Sequence, residues 1–201
     1  MSQIAEQPEI KDKIIASGIR VGTVVKTKFM IPFITQSNPE GFYLLDLDLT
    51  LNRIQTAGRF IKKFDMSKVI VCSGSNLSKT AIEKFCEITG AKMMFGRFMP
   101  GTLTNPSLPF YSEPQLVIIS DPQIDTQAVT EATNAGIPVI GISNTDNITS
   151  KLDLIIPANN RGRQSIATIY WLLAGEIEPS TKSKYQIEDF ETKTVDTEEE
   201  L

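Results

Sequence analysis

Apolar residues recur in two rhythms along this chain, and the alternation between them predicts its fold. Gly41-Phe42-Tyr43-Leu44-Leu45-Asp46-Leu47 is a short run rich in strand formers, entered through a Pro39-Glu40-Gly41 turn. Next, Leu51, Ile54, Gly58, Ile61 and Phe64 recur at steps of three and four, the period of a helix with one buried face. Arg53, Arg59, Lys62 and Lys63 fall on its outer side. Lys68-Val69-Ile70-Val71-Cys72-Ser73 predicts a second strand, apolar without alternation, as in a sheet covered on both faces. A helix follows from about Leu77, burying Ala81, Ile82, Phe85 and Ile88, with Gly90 as its C-terminal stop. Met93-Met94-Phe95 reads as a third short strand and Leu116-Val117-Ile118-Ile119 as a fourth. A helix from Ile124 to Ala135 is closed by Gly136. Pro138-Val139-Ile140-Gly141-Ile142 and Asp153-Leu154-Ile155-Ile156-Pro157 are further strands. A last helix begins near Gln164 and carries Ile166, Ile169, Tyr170, Leu172 and Leu173.

Continuous apolar strands alternating with helices imply right-handed crossovers onto one mostly parallel sheet. The expected fold class is therefore α/β, three-layered, with helices on both faces of the sheet. In such sheets function gathers at the carboxyl ends of the strands. Those ends lie after Leu47, Ser73, Phe95, Ile119, Ile142 and Ile156.

A length of 201 residues suits one domain, and 41% hydrophobic content supplies one sizeable core. The chain has no histidine, which removes Ser-His-Asp and Cys-His nucleophile systems, imidazole bases and histidine-ligated metals. Two cysteines, Cys72 and Cys86, are too few for a disulfide scaffold or a Cys-rich zinc site, and point to a reducing interior. No stretch approaches the ~18 apolar residues of a membrane span, and MSQIAEQPEIKDK is too polar for a signal peptide.

The net charge of −4 conceals a division. From Glu176 onward nine acidic residues face three basic ones, so the body before it is slightly basic. Residues 1–13 read as a polar extension, 14–177 as one α/β domain, and 178–201 as an acidic, disordered tail without apolar periodicity.

Two strings look enzyme-like. Leu44-Leu45-Asp46-Leu47-Asp48-Leu49-Thr50 resembles the first motif of haloacid-dehalogenase-type phosphatases, in which one aspartate attacks phosphorus beside Mg²⁺. Ser73-Gly74, then Asp121 and Asp125, imitate later positions of that family, with Lys92 a forced lysine candidate. The plainer alternative is that Asp46 and Asp48 end a strand and cap the next helix near Thr50. Ser73-Gly74-Ser75-Asn76-Leu77-Ser78-Lys79-Thr80 resembles a phosphate cradle, such as the serine-rich turn of phosphosugar isomerase domains. It is not a Walker loop, because Lys79 stands where the second glycine belongs. For the serines individually, a hydroxyl-rich helix start is the simpler reading.

Three loops share another chemistry. Gly96-Arg97-Phe98-Met99-Pro100-Gly101-Thr102-Leu103-Thr104-Asn105-Pro106 combines a guanidinium, small hydroxyls and an amide without any acidic residue. Ser143-Asn144-Thr145-Asp146-Asn147 and Asn159-Asn160-Arg161-Gly162-Arg163-Gln164 resemble it in inventory. Arg forks bind phosphate, while Ser, Thr, Asn and backbone N–H groups bind sugar and phosphate oxygens. Arg20, Lys26 and Lys28 add a cationic arm near the N-terminus. Three such loops at predicted functional ends, beside that arm, favour a polyanion partner.

These phrases resemble one family, the archaeal-type small-subunit ribosomal proteins of the universal S-two family, related to eukaryotic laminin-receptor-precursor proteins. Its second signature is met by Pro114, Val117, Ile118, Ile119, Asp121, Asp125, Val129, Glu131, Gly136, Ile137 and Pro138. The three loops and Ile169-Tyr170-Trp171-Leu172-Leu173-Ala174 are similar to the family as well. Arg20 stands before Val21-Gly22 where the family usually carries His, and the loop after the second strand has only Lys79 where an arginine near Ser75 is common. There is no room for the helical hairpin of bacterial relatives.

The resemblance implies a flavodoxin-like or Rossmann-like domain, cytoplasmic and ribosome-bound, that binds small-subunit ribosomal RNA and neighbouring ribosomal proteins. It implies no catalysis, cofactor, metal, membrane or small-molecule substrate. Arg20, Lys26, Lys28, Arg97, Arg161 and Arg163 would meet phosphates on this reading. Thr102, Thr104, Asn105, Asn147, Asn159 and Asn160 would meet sugar or backbone oxygens.

Overall fold

Apolar runs become strands and three-four periodicity becomes helices in the computed structural model, which describes residues 8–39 and 41–192. Helix α1 (Pro8–Ala16) leads to an antiparallel hairpin of β1 (Ile34–Ser37) and β2 (Tyr43–Leu45). Then come α2 (Leu47–Ile61), β3 (Val69–Ser73), α3 (Lys79–Thr89), β4 (Lys92–Phe95) and β5 (Leu116–Ile119). The chain continues through α4 (Thr126–Asn134), β6 (Val139–Ser143), β7 (Leu154–Pro157), α5 (Arg163–Ile177) and the short α6 (Thr181–Lys184). The sheet order is β4-β3-β5-β6-β7, every pairing parallel. Counted from β3, this is the doubly wound order 2-1-3-4-5 of flavodoxin-like sheets.

Alternate residues of each strand point to opposite faces, and both faces are dry. Val69, Val71, Leu116, Ile118, Ile140 and Ile142 pack under α2, α3 and α5. Ile70, Cys72, Val117, Ile119 and Val139 meet Ala128, Val129 and Ala132 of α4, with Phe98 and Leu103 from the loop after β4. The three-layer α/β expectation holds, and each fully buried aliphatic side chain contributes roughly 1.5–3 kcal/mol.

Three expectations need correction. The run Gly41–Leu47 does not join the parallel sheet. Tyr43–Leu45 is held between β1 and residues 20–23, through Leu45 N–H to the Arg20 carbonyl and Tyr43 N–H to the Thr23 carbonyl. Asp46 then starts α2 at once, so no crossover carries this strand onto the sheet. The polar extension 1–13 also contains structure, because α1 begins at Pro8; residues 1–7 lie outside the described ones.

The third correction concerns the tail. Helix α5 is buried on all sides from Ser165 to Gly175, so its outer face needs a cover that the sheet cannot supply. Residues 178–192 supply it. Trp171 donates its indole N–H to the Tyr185 carbonyl (2.9 Å), Phe190 is fully buried, and Thr192 donates its hydroxyl to the Leu77 carbonyl. The acidic run 196–200 lies outside the described residues.

Candidate nucleic-acid interface

Loops after β5, β6 and β7 meet at the carboxyl end of the sheet and are bonded into one frame. The amide of Asn147 is its hub. Its Oδ1 accepts from Asn144 N–H (2.6 Å) and Asn160 Nδ2 (3.0 Å), and its Nδ2 donates to Asp121 Oδ1 (3.1 Å). Asn160 Nδ2 also reaches the Ile142 carbonyl. Asn159 donates to the Gly18 carbonyl, accepts from Asn144 Nδ2 and Arg161 N–H, and receives the Ser165 hydroxyl on its backbone carbonyl. Asn and Asp suit such turns because their side chains bond the backbone nearby.

The cationic arm is fastened to this frame. Thr23 N–H donates to Thr145 Oγ1 (2.9 Å), Thr27 N–H to the Thr145 carbonyl (2.9 Å), and the Thr27 hydroxyl to the Asn147 carbonyl (2.9 Å). The close approach requires glycine at position 22: a Cβ there would stand 2.6 Å from both Thr145 Cγ2 and the Tyr43 carbonyl oxygen. Thr23 and Thr27 were not among the expected site residues. Lone threonines in an irregular segment carry no sequence signal of such a role.

The loop Gly96–Pro106 is held by one side chain. Glu131, in α4, accepts the N–H groups of Gly101 (2.8 Å) and Leu103 (3.2 Å), the Gln127 amide (2.7 Å) and, at 3.5 Å, the Thr104 hydroxyl. Gly101 has φ of +89°, a turn that favours glycine. Glu131 lies between Ala128 and Ala132 on the buried face of its helix. A carboxylate inside an apolar stripe is the signal that singles it out. Burial raises its pKa, but the hydrogen bonds from Gly101, Gln127, Leu103 and Thr104 outweigh that and leave it below the ordinary value.

The expected site residues divide between interior and surface. Thr102, Asn147 and Asn160 are buried, and the Thr102 hydroxyl is spent on the Met99 carbonyl. Asn159 is half-buried within the frame. Thr104 and Asn105 are exposed, although Asn105 Oδ1 accepts Ser107 N–H. Arg97 is exposed and Arg163 half-buried, neither with a side-chain partner among the described residues. Arg161, half-exposed, pairs with Asp146 and donates to Gln123 Oε1 (3.3 Å). Lys26 and Lys28 are exposed on the arm, Lys26 lying 4.7 Å over the Tyr43 ring. Arg20 is half-buried and its Nε has no partner among the described residues.

This arrangement presents three arginines and exposed hydroxyl and amide groups on cross-bonded loops, in which Ser143 Oγ, Asp146 Oδ1, Thr149 Oγ1 and Asn160 Oδ1 are buried without a partner among the described residues. Small ribosomal subunit protein uS2 of Nitrosopumilus maritimus is 62% identical to the chain over the full length of both. The chain belongs to the uS2 family. The uS2 proteins of Cenarchaeum symbiosum and Thermofilum pendens are 55% and 45% identical, with about nine-tenths of each chain covered. The family model described as Ribosomal protein S2 matches residues 109–179. Within that uS2 segment fall β5, α4, β6, β7 and α5, and with them the whole asparagine frame.

Membership of the uS2 family agrees with the fate of the enzyme-like strings. Asp46 Oδ1 accepts the N–H groups of Asp48 (2.9 Å) and Leu49 (3.1 Å), so the carboxylate expected as a nucleophile caps α2, whose first turn is tied to the end of β7 through the Thr50 hydroxyl and the Pro157 carbonyl. Neither the family nor this capping role supports the phosphatase reading. The cradle after β3 is also filled. Ser73 and Ser78 hydroxyls bond each other at 2.6 Å, Ser75 N–H goes to Ser73 Oγ, and Gly74 N–H donates to Asp125 Oδ2 (3.2 Å). Doubly wound sheets hold ligands between the loops of the strands where the order reverses, here β3 and β5. There a carboxylate of the protein itself already accepts the Gly74 N–H.

That carboxylate is perturbed. Burial, with the charge of Asp121 adding to it, pushes Asp125 up to about 6 against the opposing Gly74 hydrogen bond. Burial also raises Asp121, against hydrogen bonds from Gln123 and Asn147. Among the described residues no group of three acidic or cysteine side chains is placed to hold a metal ion.

Proposed function

We propose that this protein is a non-catalytic structural component of the small ribosomal subunit, and that the rim at the carboxyl end of its sheet grips ribosomal RNA. Arg97, Arg161 and Arg163 meet phosphates; Thr104 and Asn105 meet sugar or phosphate oxygens. Thr102, Asn147, Asn159, Asn160 and Arg20 act from inside, holding the loops that carry these groups. One observation carries the reading: among the described residues Arg97 and Arg163 have no side-chain partner, on a rim where Asn144, Asn147, Asn160 and Asp121 bond one another. A guanidinium fork left open on a rigid support suits phosphate. Little ordering entropy is lost when a pre-bonded loop docks.

Specificity comes from RNA shape more than from base reading, since the rim offers few exposed aromatic platforms. Lys26 and Lys28 add cations beside the rim, but share their surface with apolar side chains that phosphates cannot use.

The test is Arg97→Glu combined with Arg163→Glu. The double variant keeps the wild-type unfolding curve, binds small-subunit RNA more weakly with a salt slope reduced by about 2, and sediments at the top of a sucrose gradient instead of with the small subunit. Wild-type co-sedimentation of the folded double variant defeats the assignment of this rim.

A further inference from the structure

The arm that is stapled to the rim has a second side. Residues 17–39 contain no aspartate or glutamate, yet include Arg20, Lys26 and Lys28. Inward, Thr23 and Thr27 bond the loop after β6, while Met30 and Phe33 fill a small core with Leu45. Outward, Val24 and Val25 are each 57% exposed, and Phe29 and Ile31 each 51%. Val24 lies against Gly41, beside Phe42, which is itself 41% exposed. Large apolar side chains are not exposed here for want of order, because the backbone beneath them is pinned at both threonines. A fixed apolar strip set between lysines costs the isolated protein hydration without returning any contact.

We infer that this outer face of residues 24–31 docks a neighbouring protein of the small subunit, one that presents apolar side chains flanked by carboxylates. The inference rests on the small-subunit reading above, but not on which residues hold RNA. Charge complementarity selects an acidic partner, since two lysines meet no carboxylate anywhere in the arm. Apolar content selects protein over RNA. Val24, Val25 and Ile31 offer a phosphate no donor and a base no stacking face, and they outnumber Phe29 and Phe42, the two aromatic rings of the strip; in a protein interface all five form the desolvated centre and the lysines its rim. Thr23 and Thr27 make the surface preformed, so docking orders few groups.

A photo-reactive phenylalanine analogue at position 29 of the full chain, assembled into small subunits, tests this directly. The expected product is an adduct with a resident small-subunit protein, at a segment bearing aspartate or glutamate beside apolar residues. In parallel, Val24→Ser/Val25→Ser should lower that adduct at least five-fold, and Lys26→Gln/Lys28→Gln should make the remaining adduct insensitive to salt. Val24→Ser/Val25→Ser should leave RNA binding by the free protein unchanged. An adduct with RNA, an adduct at a segment without carboxylates, or no adduct in intact subunits overturns the inference. Failure of the Arg97 and Arg163 test alone would leave it standing, so the two readings fail separately.

Discussion

The carboxylate of Glu131 accepts the N–H of Gly101 at 2.8 Å, fastening a loop of the rim to a helix thirty positions further along the chain. The same carboxylate takes Leu103 N–H, so its removal strands two backbone donors at once. Glu131→Ala is expected to cost about 2–4 kcal/mol, because hydrogen bonds to charged groups contribute roughly 1.5–3 kcal/mol each and do not add fully. Glu131→Gln, keeping one acceptor, should lie between. Hydrogen exchange provides the local readout: Gly101 and Leu103 amides lose protection in Glu131→Ala. The pH dependence has a fixed sign. A carboxylate lowered in the folded state stabilises fully above its unfolded value of 4.5, and that stabilisation is lost as pH falls through the lower folded value. The gap between wild type and Glu131→Gln must therefore narrow in acid.

Asp125 is set the opposite way. Its folded pKa of about 6 stands above the ordinary 3.8, so the folded state takes up a proton that the unfolded state does not between those values. Stability falls as pH rises across this window, and the penalty is complete above it. Asp125→Asn keeps an oxygen for Gly74 N–H and carries no charge. It should stabilise the protein by about 1–3 kcal/mol at pH 7.5 and by nothing near pH 4, at ~1.4 kcal/mol per pKa unit. Urea unfolding at three pH values measures this, and a difference that does not change with pH refutes it.

The parallel strands were readable because each is apolar on both faces, which only a covered sheet allows. That signal could not say which sheet a strand enters, and so Gly41–Leu47 looked like its neighbours although β2 pairs in a hairpin. The rim loops were readable as turn-rich, cationic segments. Which of their polar residues face inward was not, since Thr102 and Thr104 differ only in where Glu131 and the Met99 carbonyl lie. Phe190 was hidden by acidic surroundings. Its burial is dictated by the outer face of α5, far from it in composition though only thirteen residues on from that helix's last residue, Ile177.

Gly58 predicts an inversion of helix propensity. Alanine in a helix interior normally gains about 1 kcal/mol over glycine. Here a Cβ at position 58 would stand 2.5 Å from Cβ of Glu176, an atom close to the backbone of α5 that cannot swing aside. Gly58→Ala should instead destabilise by about 1–3 kcal/mol, by forcing α2 and α5 apart. Equilibrium unfolding decides the sign, and a stabilised variant would show that the two helices separate freely.

Phe190→Ala tests the strap over α5. Truncating a fully buried phenylalanine costs about 3–5 kcal/mol where the site cannot collapse. Loss of this anchor should also expose residues 178–192 to protease, with cleavage between Glu178 and Thr192 preceding cleavage of the sheet. If the variant is as stable and as resistant as wild type, the strap does not support α5.

Asn147 separates the two roles of an amide. Its oxygen serves Asn144 and Asn160, and its nitrogen serves Asp121 at 3.1 Å. Asn147→Ala orphans the buried Asn144 N–H, while Asn160 Nδ2 keeps the Ile142 carbonyl and Asp121 Oδ1 keeps Gln123 N–H, so it should cost about 1–3 kcal/mol, the worth of one orphaned buried donor. Asn147→Asp retains the oxygen and replaces the donor with a second carboxylate facing Asp121. Like charges at that distance cannot both ionise without large cost. The Asp variant should therefore be unstable at pH 7.5 and recover toward wild type near pH 5, where the pair shares a proton, while the Ala variant stays weakened at both. Parallel loss in the two variants at both pH values would mean that the nitrogen, and with it the bond to Asp121, contributes nothing to holding the rim together.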